Sequence, residues 1–340
     1  MQSFSEAISF SLAATRCASV LSLLLSCLFQ PPPLSAKDWE IYAIGDREYV
    51  SDENVAKFFQ FERFAKQDDD RIFKHPSLIM TWKIGTKSIY MNNVRFNLSF
   101  PVIENGGMAM LSTVDLAKLV DPVVRPSYIR KPTTFETVVI DASHGGHDSG
   151  AIGPYGPEKD YTLDVALRLK KALESRGFKT VLTRRDDIFL TARQRVGIAN
   201  QVKAAIFISI HFNSSKDLTT TGIETYALPP MGTVATDGIS PFISASRGTD
   251  AGNQLDAENV ALAAAMHAYL IAEFKAVDRG VSRARFDELR GSNKPCVLVK
   301  AGFLTNPSEA KLINSQAYRE RLAISLADSV VRFKAAVGKK

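Results

Sequence analysis

From residue 137 onward the chain alternates between two periodicities, and this alternation restricts its fold more than any other feature. Thr137-Val138-Val139-Ile140-Asp141, Lys179-Thr180-Val181-Leu182-Thr183 and Ala205-Ile206-Phe207-Ile208-Ser209-Ile210 are short apolar runs rich in β-branched residues. The third is apolar at nearly every position, as a strand covered on both faces must be. Between these runs, residues 158–176 place Leu163, Ala166, Leu167, Leu169 and Leu173 at helical spacing, and residues 191–202 form a second helix pattern. Gly222-Ile223-Glu224-Thr225-Tyr226 and Cys296-Val297-Leu298-Val299 read as further strands, with a long helix over 257–276 and a closing amphipathic helix over 316–335. Strands that alternate with helices need crossover connections, so residues 137–336 are expected to form an α/β domain with a largely parallel sheet flanked by helices.

The preceding residues read differently. Residues 37–122 contain short strand patterns around 40–44, 78–82 and 88–91, separated by turn sequences such as Glu104-Asn105-Gly106-Gly107. Two short helix patterns interrupt them, opening at Ser51 and Ser112, both good N-caps. The expectation is a smaller α+β accessory domain, whose layout resembles the stalk-like module named after the N-terminal domain of copper amine oxidases. Pro122, Pro126 and Pro132, with Arg125, Arg130 and Lys131 among them, mark residues 123–136 as a linker.

Residues 1–36 read as a signal peptide. Arg16 precedes an apolar run over 17–29, followed by Pro31-Pro32-Pro33 and Leu34-Ser35-Ala36. That run is short for a bilayer span but suits a signal core, with cleavage after Ala36. Leu24-Leu25-Ser26-Cys27 also resembles a lipobox, which would tether the protein by lipid at Cys27. Either way the chain is expected to be exported to the periplasm or cell envelope. Removal of the segment leaves Cys296 as the remaining cysteine, so no intrachain disulfide is expected, and its apolar neighbours point to a buried structural thiol. The net charge of +6 favours anionic partners such as wall polymers. The absence of a Lys/Arg block interleaved with aromatics argues against nucleic acid.

Three potential metal ligands stand at informative places. His144 follows the strand ending at Asp141, Glu158 opens the first helix, and His211 ends the strand 205–210. Open α/β sheets bind ligands beyond the carboxyl ends of their strands, so both histidines are candidates for one site. A carboxylate is favourable at a helix N-terminus. Two imidazoles and a carboxylate match hydrolytic zinc sites that keep a fourth position for water. His147 competes with His144 for the first ligand position.

These residues lie within motifs that resemble the zinc-dependent N-acetylmuramoyl-L-alanine amidases of the type-3 family across about 200 residues. The matching stretches are Val139-Ile140-Asp141-Ala142-Ser143-His144-Gly145-Gly146, Asp148-Ser149-Gly150-Ala151-Ile152-Gly153 and Glu158-Lys159-Asp160. They continue with Leu182-Thr183-Arg184, the run from Ala192 to Asn200, Ser209-Ile210-His211-Phe212-Asn213 and Gly302-Phe303-Leu304-Thr305-Asn306-Pro307. The resemblance implies a mixed sheet flanked by helices and Zn2+ held by His144, Glu158 and His211. It also implies peptidoglycan as substrate, cut at the amide between N-acetylmuramic acid and the L-alanine of the stem peptide.

One position departs from the family. The resemblance places a catalytic glutamate two residues before Gly302, where this chain has Lys300. A protonated lysine cannot accept a proton from water. Three outcomes stay open: neutral Lys300 serves as an unusual base, Glu224 at another strand end substitutes, or the domain is a catalytically impaired protein that binds or regulates the cell wall. Residues 227–256, rich in Gly, Ser, Thr and Pro, form an expected insertion near the active face.

Overall fold

The computed structural model describes residues 39–236 and 249–338. The expected signal segment with its candidate lipid site Cys27 lies outside the described residues, as do residues 237–248 of the insertion. Among the described residues, no helix is long and apolar enough to cross a membrane.

The N-terminal strands are β1 (Ile41–Ile44), β2 (Arg47–Ser51), β3 (Arg63–Gln67), β4 (Asp70–His75), β5 (Leu78–Lys83), β6 (Ser88–Met91), β7 (Val94–Asn97), β8 (Ile103–Asn105) and β9 (Met108–Ser112). Helix α1 (Asp52–Phe58) follows β2, and its first turn is closed by the expected cap, Ser51 Oγ accepting from Asn54 N–H. From residue 137 the order is β10 (Thr137–Ala142), the small hairpin β11 (Ile152–Gly153) and β12 (Gly156–Pro157), α2 (Glu158–Glu174), β13 (Lys179–Leu182), α3 (Ala192–Gln201) and β14 (Ala205–Asn213). Then come β15 (Ile223–Ala227), α4 (Asp256–Phe274), β16 (Asp278–Arg283), α5 (Asp287–Gly291), β17 (Cys296–Phe303), α6 (Pro307–Asn314) and α7 (Gln316–Val337).

The central sheet runs β13-β10-β14-β17-β15-β16-β7-β6-β5-β4-β3. Strands β13, β10, β14 and β17 are mutually parallel, β15 is antiparallel to β17, and β16 is parallel to β15. This is a mixed α/β sheet with helices on both faces. Every residue of β10 is buried, which explains the apolar run Val138-Val139-Ile140 at its centre. Helices α2, α4 and α7 cover one face, contributing Val165, Leu169, Val260, Leu262, Leu326 and Phe333 to the larger core. Helix α3 and the short α5 cover the other, where Val196 and Leu289 pack with Val139, Phe207, Tyr226 and Leu298.

Strand β17 is longer than its apolar sequence pattern, continuing through Lys300 to Phe303. Val297, Val299 and Ala301 belong to the larger core and Cys296 and Leu298 to the smaller one. The period-two pleat therefore places Lys300 on the Leu298 side. Cys296 is buried, and burial pushes its thiol well above the usual range. Strand β16 escapes sequence reading because Asp278-Arg279-Gly280 is neither apolar nor β-branched. Its pairing with neighbours supplies what propensity lacks.

The N-terminal strands do not stand apart. Strand β7 pairs with β16 through Phe96 and Val281, so the β3–β7 meander extends the same sheet. Phe73, Trp82 and Phe96 share one core with Val138 and Ile206. At the start of the stretch that the sequence suggests as a linker, Val123, Val124, Arg125 and Pro126 are buried. The Arg125 guanidinium bonds Asp121 Oδ1 at 2.6 Å and stacks over Phe58 and Tyr128, each 4.7 Å away.

A polar relay fastens this junction. The Thr225 hydroxyl donates to His267 Nδ1 at 3.0 Å, and His267 Nε2–H donates to Asp278 Oδ1 at 2.8 Å. The second Asp278 oxygen accepts from the Arg95 amide at 2.8 Å. His267 is fully buried on α4, so its ring nitrogens depend on these partners. Asp278→Ala leaves two donors unsatisfied and is expected to destabilise the fold by about 1–3 kcal/mol. Urea unfolding measures that loss, and hydrogen exchange should show the Arg95 amide opening more readily than the β10 core.

Candidate metal centre and active site

The site is built on the turn that follows β10. Ser143 to Gly146 leave the strand through left-handed backbone, with φ of 60° at His144, 129° at Gly145 and 59° at Gly146. A Cβ at Gly145 would lie 2.2 Å from the Ile188 carbonyl oxygen, so the turn needs glycine there. His144 occupies a conformation costly for an L-residue, and surrounding bonds hold it there. Two buried arginines clamp the turn. Arg184 donates from Nε to the Ala142 carbonyl at 2.8 Å and from Nη2 to that of Ser143 at 3.0 Å. Arg195 donates from Nη1 to the Asp141 carboxylate at 2.8 Å and from Nη2 to the His144 carbonyl at 2.7 Å. Arg184 and Arg195 lie in stretches that sequence reading singled out without a role. The signal available was a charged residue inside an otherwise apolar or helical pattern.

His144, Glu158 and His211 come together here, each offering a ligand atom within 4.8 Å of the others. Glu158, 3% exposed, is the first residue of α2. Its Oε1 accepts from the Phe212 amide at 2.9 Å and its Oε2 from the Ala151 amide at 3.0 Å. Burial alone would raise this carboxyl's pKa. Hydrogen bonding and charge from His144 and His211 hold it well below the carboxylate range instead. Gly150 makes the packing possible, since a Cβ there would sit 2.6 Å from His144 Cδ2 and 2.7 Å from Glu158 Oε2.

The outer partners of the two imidazoles determine which nitrogens remain available. His144 Nδ1–H donates to Asp148 Oδ2 at 2.9 Å, leaving Nε2 facing Glu158 Oε2 at 3.3 Å. His211 Nε2 pairs with the Ser143 hydroxyl at 2.5 Å, and its Nδ1 with Glu158 Oε1 at 3.2 Å. The two inner ring nitrogens thus converge on the Glu158 carboxylate, bonded to it while protonated and able to offer their lone pairs to a cation once that proton leaves. Two nitrogens, a carboxylate and orienting outer partners suit a zinc-type ion. His147 is not in this group; its ring stacks on Phe189 at 4.1 Å between centroids.

A cavity of about 320 Å3 opens over the group. Beside the ligands it is lined by Phe212, Phe286, Leu298, Glu288 and Lys300. Lys300 stands opposite His211 on β14 and Glu224 on β15. Its Nζ lies 5.6 Å from the Tyr226 ring centroid and 5.4 Å from that of Phe286. Glu224 does not line the cavity: its Oε2 accepts from Asn213 Nδ2 at 3.1 Å and lies 3.8 Å from Arg279 Nε. Glu288 had no signal in the sequence, since a charged residue before a turn reads as surface.

A metal ion must displace the proton that His144 can carry. Burial lowers the proton affinity of His144, but Glu158 and Asp148 outweigh this and raise its pKa above the usual imidazole value. Metal affinity is therefore expected to be full above that raised pKa and to weaken as pH falls through it. Asp148→Ala removes the outer partner of His144 and should weaken metal binding about 10–100-fold. Competition with a chromogenic chelator across pH measures both effects.

Comparison with known proteins identifies the family of the chain. Residues 138–332 match the family model described as N-acetylmuramoyl-L-alanine amidase. The chain is 32% identical over 205 residues to N-acetylmuramoyl-L-alanine amidase LytC of Bacillus subtilis, covering 60% of this chain but only 37% of LytC. It is 28% identical over 219 residues to N-acetylmuramoyl-L-alanine amidase AmiA of Escherichia coli, covering 58% of this chain and 75% of AmiA. Among solved structures it is similar to the catalytic domain of CwlV, an N-acetylmuramoyl-L-alanine amidase from Bacillus (Paenibacillus) polymyxa var. colistinus. That match has 32% identity and a TM-score of 0.48, covering 58% of this chain and 97% of the other. With its model spanning more than half of the residues, the chain belongs to the N-acetylmuramoyl-L-alanine amidase family.

Proposed function

We propose that this protein is an exported peptidoglycan hydrolase that cleaves the amide between N-acetylmuramic acid and the L-alanine of the stem peptide. The observation that carries this reading is the convergence of His144, Glu158 and His211 within 4.8 Å, at a cavity in a chain of the amidase family. These three residues would hold zinc, which when bound supplies a Lewis acid that polarises the amide carbonyl and acidifies a water.

The remaining roles fall to the chain itself. Asp148 and Ser143 hold the outer nitrogens of the two imidazoles, so that the inner nitrogens face the site. The Phe212 and Ala151 amides fix the Glu158 carboxylate in place. Phe286, Phe212 and Leu298 supply apolar walls that exclude bulk water around a bound stem peptide. The net charge of +6 favours approach to anionic wall polymers. The candidate signal segment would deliver the chain to the envelope, where that substrate lies.

A second reading rests on Lys300, a lysine in the cavity at the position where the family resemblance places a glutamate. In that reading the domain binds or regulates wall material and cuts it poorly.

Release of stem peptides from purified peptidoglycan separates the two. The zinc-loaded protein is expected to release them, and His144→Ala to abolish release. If only Lys300→Glu cuts, the amidase reading of the natural chain fails and the binding reading holds.

A further inference from the structure

Hydrolysis of an amide by water needs a group that takes a proton from the nucleophile and returns one to the departing nitrogen. Of the ionisable side chains lining the cavity, His144, Glu158 and His211 form the ligand group, and the others are Glu288 and Lys300. Lys300 in its ammonium form has no lone pair to accept a proton. Glu224 shares its sheet register with Lys300 but is engaged by Asn213 and does not line the cavity. Among the described residues, Glu288 is therefore the carboxylate of the cavity lining that is not in the ligand group.

Its placement is fixed by packing. Glu288 reaches the cavity from α5, between Phe286, which lines the same cavity, and Leu289, which is 1% exposed in the smaller core. The Cys296 thiol on β17 lies 3.8 Å from the Glu288 carbonyl oxygen, tying the turn to the strand that carries Lys300. Glu288 is half-buried, and among the described residues its carboxylate has no hydrogen-bond or ion-pair partner. A cavity carboxylate without such a partner is free to exchange a proton with a nucleophile there.

Resting on the amidase reading above, we infer that Glu288 is the catalytic carboxylate of this enzyme, supplied from α5 instead of β17. It takes a proton as the water oxygen bonds to the amide carbonyl carbon. It then delivers that proton to the nitrogen as the carbon–nitrogen bond breaks and the electron pair leaves with nitrogen. The new carboxyl group sheds the remaining hydroxyl proton to the amine, so the products are a lactyl carboxylate and the ammonium of L-alanine. No other reactant is needed.

The test uses the full chain, zinc and a soluble muropeptide. Glu288→Gln is expected to lower kcat about 10²–10⁴-fold. KM and zinc affinity, the latter read by chelator competition without substrate, should stay near those of the unmodified protein. The double variant Glu288→Gln/Lys300→Glu should regain activity, because a glutamate is restored to the cavity from β17; a fall in kcat with KM and zinc affinity unchanged is what a merely structural role for Glu288 would not produce. If the unmodified protein cuts and Glu288→Gln cuts equally well, or loses zinc, the assignment of Glu288 is overturned while the amidase reading stands. If the unmodified protein holds zinc and releases nothing, both fall.

Discussion

Burying the Glu158 carboxylate is the demand around which this site is organised. A charged group at 3% exposure is tolerated only when its lone pairs are met, and here two backbone amides and two imidazoles meet them. Those partners come from β14, from the loop after β10 and from the loop before β11. The carboxylate therefore couples segments far apart in the chain. The φ of 60° at His144, the glycine at 150 and the arginine clamps on the turn are the means by which the backbone reaches it.

The clamps have the same physical logic one layer out. The carbonyls of Ala142, Ser143 and His144 lie where β10 ends in a buried turn and need donors there, the Ser143 carbonyl also accepting from the Thr162 hydroxyl at 2.8 Å. Arg184 and Arg195 satisfy them with geometry that a single-point cation lacks. The Asp141 carboxylate closes this network by accepting from Arg195, Thr183 and Ser209. The candidate metal-binding face thus rests on a polar platform of these bonds.

The junction of the two halves follows from edge satisfaction. Strand β16 would otherwise present an open edge, and β7 covers it, carrying the meander with it. The relay through Thr225, His267 and Asp278 adds direction to what the short β7–β16 contact leaves weak. Packing of the would-be linker, with Arg125 stacked on aromatic rings, makes the junction a wall of the core.

The sequence by itself determined the class of fold and the chemical character of the site. Period-two and helical runs are local properties, so the strands and helices after residue 137 were legible, as were donor residues at strand ends and the lysine at 300. The cap at Ser51 was legible for the same reason. Only the tertiary structure decided which histidine joined the group, because His144 and His147 differ by one turn of loop, not by composition. It also decided that Glu224 bonds Asn213 while Glu288 lines the cavity, and that β16 pairs with β7. Each of these depends on contacts between residues distant in the chain. Local periodicity does not encode such contacts; core packing and the saturation of buried polar groups select them.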